Sequence, residues 1–118
     1  METQFEDGPG FLLVRMTGGF SLKEALAMFE KAASITRARG VRRILVDASG
    51  VSGDPSDMDR YDAGKEGAQI FAHIERVAFV RWATDRFTGF AFDVAQNRGL
   101  DVRPFLDLAE AEAWLTQD

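Results

Sequence analysis

Hydrophobic and polar positions change period along the chain. Short extended runs are separated by longer stretches in which apolar residues recur every three or four positions. Residues 3–6 and 11–16 are two such runs, and the Gly8-Pro9-Gly10 break between them predicts a hairpin. Thr17-Gly18-Gly19 is expected to close the second strand. Ser21-Leu22-Lys23-Glu24 then has the form of a capping box, in which Ser21 accepts an amide three residues on and Glu24 reaches back to the Ser21 amide. Leu22, Ala25, Leu26, Phe29, Ala32, Ala33 and Thr36 follow at helical spacing. Arg37 and Arg39 suit the negative end of that helix, and Gly40 can take the left-handed conformation that closes it.

The remaining chain repeats the alternation. Residues 41–47 contain the continuous Ile44-Leu45-Val46 run of a strand buried on both faces. Residues 48–53, rich in Ser and Gly, are expected to form a loop. Asp54 is the expected N-cap of a second helix, with Pro55 in its first position and its end near Ile74. Gly64 and Gly67 each weaken that helix by about 1 kcal/mol against alanine. Residues 76–82 form the next buried strand. Asp85 caps a third helix over residues 86–98 that turns Phe87 and Phe90 inward and Phe92 outward. Residues 100–105 are a last strand, placed at an edge by Pro104, and Asp107 starts a helix burying Leu108, Ala111 and Leu115 beside Trp114. The order ββαβαβαβα defines an α/β fold, mostly parallel beyond its N-terminal antiparallel hairpin, with helices on the faces. Leu45 and Phe79 are expected to be buried on adjacent parallel strands.

Composition narrows the function classes. At 118 residues, 46% hydrophobic and 28% charged, the chain fits one globular domain and not a disordered segment. A net charge of −5 argues against nucleic acid and anionic membranes as partners. Zero cysteines exclude disulfides, zinc–thiolate sites and thiol catalysis. No apolar run approaches bilayer length, and Met1 leads into Glu2, Glu6 and Asp7 without a signal-peptide pattern, so a cytoplasmic location is expected.

Three local features carry a resemblance. They are the hairpin ending in Gly18-Gly19-Phe20-Ser21, the Ile44-Leu45-Val46-Asp47-Ala48-Ser49-Gly50-Val51 segment, and Val102-Arg103-Pro104-Phe105 followed by Glu110-Ala111-Glu112-Ala113-Trp114-Leu115. In this order they resemble the SpoIIAA-like superfamily, the fold shared by STAS domains and the lipid-carrying SEC14 lobe. The STAS branch implies a non-catalytic switch that meets a protein partner through the loop and helix after the central strand. Its phosphorylated serine lies in an Asp-Ser-Ser-Gly motif at that helix start. Here Asp54-Pro55-Ser56-Asp57 stands instead, without the Ser-Gly pair. A phosphate on Ser56 would face Asp54, Asp57 and Asp59, so Ser56 is taken as a helix-start residue and not a phosphoacceptor. Ser49 and Ser52 have no better claim. The SEC14 branch implies an apolar ligand, for which a pocket between the second and third helices is expected.

Other constellations have plainer explanations. Asp54, Asp57, Asp59 and Asp62 lack the spacing of a calcium loop and suit a helix start, so no metal is expected. His73 has no nucleophile or orienting acid assigned to it, and no catalytic set can be named. Neither glycine-rich phosphate-loop pattern is present, so no nucleotide cofactor is expected. Arg81 and Arg86 flank a strand end where an anion could sit, although an ion pair of Arg86 with Asp85 or Glu112 explains them as well. In parallel sheets, sites gather at the C-terminal strand ends. Residues 47–56 and 82–87 therefore define the expected surface, with Ser49, Ser52, Ser56, Trp82, Arg86 and Phe90 as binding candidates for a protein partner, a second copy or a lipid-like ligand.

Overall fold

The segments fold in the order their patterns require. The computed structural model describes residues 1–83 and 89–118. β1 (Glu2–Asp7) and β2 (Leu12–Gly19) form the hairpin, and α1 (Leu22–Arg39) leads to β3 (Arg43–Ser52). Then come α2 (Asp57–Ile70), β4 (Arg76–Val80), α3 (Phe90–Asn97), β5 (Val102–Phe105) and α4 (Leu108–Leu115). The strands stand side by side in chain order, β1 antiparallel to β2 and all later pairs parallel. Pro104 lies in the edge strand β5, where a missing amide costs no ladder bond.

Each parallel connection steps one strand in the same direction. Crossovers of one hand then deposit all three connecting helices on one face. Leu12, Val14, Met16, Ile44, Val46, Ala48 and Val77 meet α1, α2 and α3 on that face. The alternate residues Leu45, Ala78 and Val80 face the other side, where Ala111 and Leu115 of α4 cover them. Leu45 is therefore buried opposite Ala78, while Phe79 pairs with Val46, lies on the three-helix face and is only half-buried. Leu45 and Phe79 do sit on adjacent parallel strands, but they serve different cores.

Several element ends differ from expectation for local reasons. β3 continues through Ser52 where residues 48–53 were expected to loop. The long β2 supplies a partner edge, pairing Thr17 with Gly50, Gly18 with Val51 and Gly19 with Ser52. Between Arg15 and Thr17 the register shifts by one residue, and the Asp47 carboxylate accepts the Ser49 amide there at 3.1 Å. Ser56, not Asp54, caps α2, its Oγ accepting from the Asp59 amide at 3.1 Å. Asp54 is instead bound by Arg60. α2 stops at Ile70, well before Ile74. The Ser21 half of the expected capping box forms, but Glu24 pairs with the Met1 amino group at 3.2 Å. β4 ends at Val80 and leaves Trp82 beyond the strand; β5 starts only at Val102. In α1 the buried stripe includes Met28, while Leu22, Leu26 and Phe29 are half-buried. In α4 Leu108 is exposed.

Among the described residues α4 is the one helix on its face, and it is fastened by its main chain. Arg43 Nη1 donates to the Leu115 and Gln117 carbonyls at 2.8 Å each. Arg76 Nη1 donates to the Trp114 and Gln117 carbonyls at 3.2 and 2.9 Å. Two strand-start arginines thus satisfy the carbonyls that a helix end leaves without partners.

Gly64 is a packing requirement and not merely a weak point. A Cβ there would lie 2.4 Å from the Ala91 carbonyl oxygen and 2.9 Å from Val94 Cβ, so α2 and α3 meet where one side chain is missing. At Gly67 a Cβ would make only ordinary contact with the Phe29 ring, at 3.4 Å. Gly67→Ala is therefore expected to stabilise the protein by about 0.5–1 kcal/mol through helix propensity. Gly64→Ala should destabilise it by more than about 1 kcal/mol, because the carbonyl cannot yield. Urea melts of the two variants check this, and equal effects would refute it. Leu45→Ala should cost roughly 2–5 kcal/mol by opening the α4-side core; a loss under about 1 kcal/mol would show that the site collapses freely.

Candidate functional site

At the C-terminal end of the sheet, two contacts pin the connection from β3 to α2. The Trp82 indole Nε1 donates to the Gly53 carbonyl at 2.9 Å, and its ring stacks on Phe20 with centroids 6.1 Å apart. On the other side Arg60, although charged, is buried. Its Nε donates to the Pro55 carbonyl at 3.2 Å and its Nη2 to Asp54 Oδ1 at 2.9 Å. Burying a guanidinium is tolerable only where such partners compensate its desolvation.

Behind this latch lies an apolar cavity of about 110 Å³ between the three-helix layer and the sheet. Met16, Val46, Val77, Phe79 and Val102 form its floor. Phe29 of α1, Gly64 and Gly67 of α2, and Ala91, Phe92 and Ala95 of α3 form its roof, and Trp82 with Arg60 stand at one end. Asp59 and Arg81 complete the charged part of the wall. Its position follows from topology. The strand order never reverses, so there is no switch-point crevice of the kind that collects ligands at strand ends. The available space lies instead where α2 and α3, brought together at Gly64, fail to fill the sheet face beneath them.

The five described binding candidates do not converge on one site. Ser49 is an exposed strand residue whose Oγ donates to Asp47 Oδ1 at 2.7 Å. Ser52 is exposed at the end of β3, its carbonyl accepting from the Phe20 amide at 2.8 Å. Ser56 is the exposed cap of α2. None of the three serines lines the cavity, and among the five described candidates only Trp82 does. Phe90, expected to face inward, is 39% exposed, with its ring 6.4 Å from Tyr61. Phe92, expected to face outward, packs edge-on against Phe79 at 5.5 Å. The helix also begins later than expected, with Gly89 at its N-cap and Phe90 in its first position. Arg86, Phe87 and Asp85, with the ion pairs considered for Arg86, lie outside the described residues. Among the described residues, no group of three or more His, Asp or Glu is placed to hold a metal ion.

Arg60 was not among the candidates, although the chain carries a signal for it. Arg60, Gly64, Gly67 and Phe71 stand at i, i+4, i+7 and i+11, a single helix face. A charge on the face that also carries two glycines marks a buried cation at a close approach.

His73 belongs to the fold. Thr36 Oγ1 lies 2.9 Å from the carbonyls of Ala32 and Ala33, so its single hydrogen is directed to them. It then accepts from His73 Nε2 at 3.0 Å, which assigns the Nε2–H tautomer and leaves Nδ1 unprotonated and buried. Burial first, and then the charges of Arg37 and Arg42, hold His73 below its ordinary value of 6.5.

Comparison with known structures gives the fold its name. A crystal structure of an anti-sigma factor antagonist from Mycobacterium paratuberculosis matches with a TM-score of 0.62 at 20% identity, over 98% of this chain and 94% of that one. An uncharacterized protein with a SpoIIAA-like fold from Shewanella loihica matches with a TM-score of 0.58, also at 20% identity, over 97% and 92%. No protein-family model and no curated protein matches the chain. The α/β fold is SpoIIAA-like, as the three local motifs suggested. Among the described residues, no helix is long and apolar enough to cross a membrane.

The His73 environment sets a pH dependence. Above about pH 6.5 the side chain is neutral whether folded or unfolded and adds no slope. Below it the unfolded chain takes up a proton that the folded one resists, so stability falls as pH drops towards the lowered folded value. Between pH 7.5 and 5.5, wild type is expected to lose more melting temperature than His73→Asn; equal losses would refute the assignment.

Proposed function

We propose that residues 1–118 form a non-catalytic regulatory domain that acts through protein contacts made by the β3–α2 connection and the outer face of α2. The observation carrying this reading is Met58, a large apolar side chain 67% exposed in the first turn of α2. It stands in the turn that Ser56 caps, three residues before Tyr61, whose ring lies 6.4 Å from that of the exposed Phe90. Exposed apolar residues grouped around a rigidly pinned connection suit a partner surface. The likeness of the fold to an anti-sigma factor antagonist supports the regulatory class. A soluble cytoplasmic setting fits this role.

The switch in this reading is not Ser56 phosphorylation. The Ser56 hydroxyl is used as a cap, and Asp54, Asp57 and Asp59 surround it with negative charge. Ser56→Ala should cost about 1 kcal/mol and leave partner capture unchanged. Stoichiometric phosphate on Ser56 in protein isolated from cells would overturn that part.

The surface itself is tested with immobilised protein and host-cell extract, using variants matched in melting temperature. A partner held by wild type should be lost with Met58→Glu and kept with Leu106→Glu, which alters an exposed leucine between β5 and α4. Equal capture by wild type and Met58→Glu would refute the surface.

A second reading is favoured by the cavity beneath α2 and α3: a carrier of an apolar ligand held between those helices.

A further inference from the structure

We infer that the cavity takes a neutral, ring-sized apolar ligand and not a lipid acyl chain. The inference rests on the carrier reading and specifies its ligand. Volume sets the upper limit. An apolar cavity of about 150 Å³ accommodates one benzene and stays dry without it. The space here, about 110 Å³, is roughly three quarters of that, enough for a single ring seated with one edge towards the opening.

The walls set the chemistry. Three aromatic pairs border the space. Phe29 and Phe71 lie 5.3 Å apart at 54°, Phe79 and Phe92 meet edge-on at 5.5 Å, and Phe20 stacks on Trp82. A ligand ring can extend these offset and edge-to-face contacts, which a flexible chain cannot exploit to the same degree. Of the charged lining residues, Arg60 is neutralised by Asp54, which lies outside the wall, and Arg81 and Asp59 are of opposite sign. A net ionic ligand would lose hydration for no net attraction, so the site selects a neutral one.

The α2 wall sets the size. Gly67 leaves room for no more than a methyl before Phe29, and Ala63 lines the same helix one turn earlier. Enlarging either residue subtracts directly from the space a ring needs. Neither residue forms part of the Met58 surface, so ligand and partner can be tested separately.

The experiment uses the full chain carrying Trp114→Phe, which leaves Trp82 as the sole tryptophan. Toluene is the ring-sized probe and dodecanoate the chain-length one, followed by Trp82 emission and by the amide resonances of Gly64 and Gly67. Toluene should bind saturably, about tenfold more weakly in Ala63→Leu and about threefold more weakly in Gly67→Ala, with dodecanoate no tighter than toluene. Gly67→Ala, which adds only one methyl, carries the comparison should Ala63→Leu lose its cooperative melt. Unchanged toluene affinity in both variants would overturn the site. Tight dodecanoate without saturable toluene would overturn the size inference and leave the carrier reading standing. No response to either probe would overturn both.

Discussion

One side of a five-stranded sheet must accept three helices, and most of the structure follows from that crowding. The parallel strands advance in one direction, so every crossover returns over the same face. Helices of ordinary girth pack 8–10 Å apart, and close approach requires that side chains be removed. Gly64 removes one where α2 meets α3. α1 meets the sheet largely through Ala25, Met28, Ala32 and Ala33, a stripe dominated by small side chains. The opposite face carries only α4 and is closed by a much shorter list of residues.

Crowding also explains why space remains. α2 and α3 meet at Gly64, and the space between them and the sheet is filled only where large side chains can reach. Phe29, Phe71, Phe79 and Phe92 reach part of the way, and the remaining volume is the cavity. Trp82 and Arg60 hold the segment at its end through main-chain carbonyls, Gly53 and Pro55 respectively. Those contacts fix the β3–α2 connection, so the first turn of α2 and the cavity share one support, with Asp59 and Arg60 belonging to both.

Element order was legible because period and breakers agreed: the Gly8-Pro9-Gly10 hairpin, the Ser21 cap, the left-handed Gly40 at φ 67° and the Asp107 cap all stand where the sequence pattern places them. The misreadings occurred where tertiary partners outweigh local preference. Ser49 to Ser52 have the composition of a loop, but the free edge of β2 makes them a strand. Pro55 looks like the first helical residue, yet its buried carbonyl is wanted by Arg60, and the helix starts two residues later. The candidate site was less legible than the fold. Strand-end loops attract attention in any parallel sheet, but a strand order without a reversal moves the useful space under the helices. The pocket expected between the second and third helices lies there, and the 60-64-67-71 face of α2 marks the same place.

The arginine clasp at the other end of the sheet has a different kind of consequence. Arg43 and Arg76 hydrogen-bond the tail through the carbonyls of residues 114, 115 and 117, and Arg76 also lies over the Trp114 ring. Every amino acid carries that carbonyl, so the hydrogen bonds are blind to the identity of the exposed positions 116 and 117, whereas the arginines themselves have no substitute of equal reach and donor count. Sequence drift in the tail is thus uncoupled from its attachment. Tolerance and constraint are divided between the two halves of one contact: the exposed residues after Leu115 are free to vary while the distant strand starts that grip them are not.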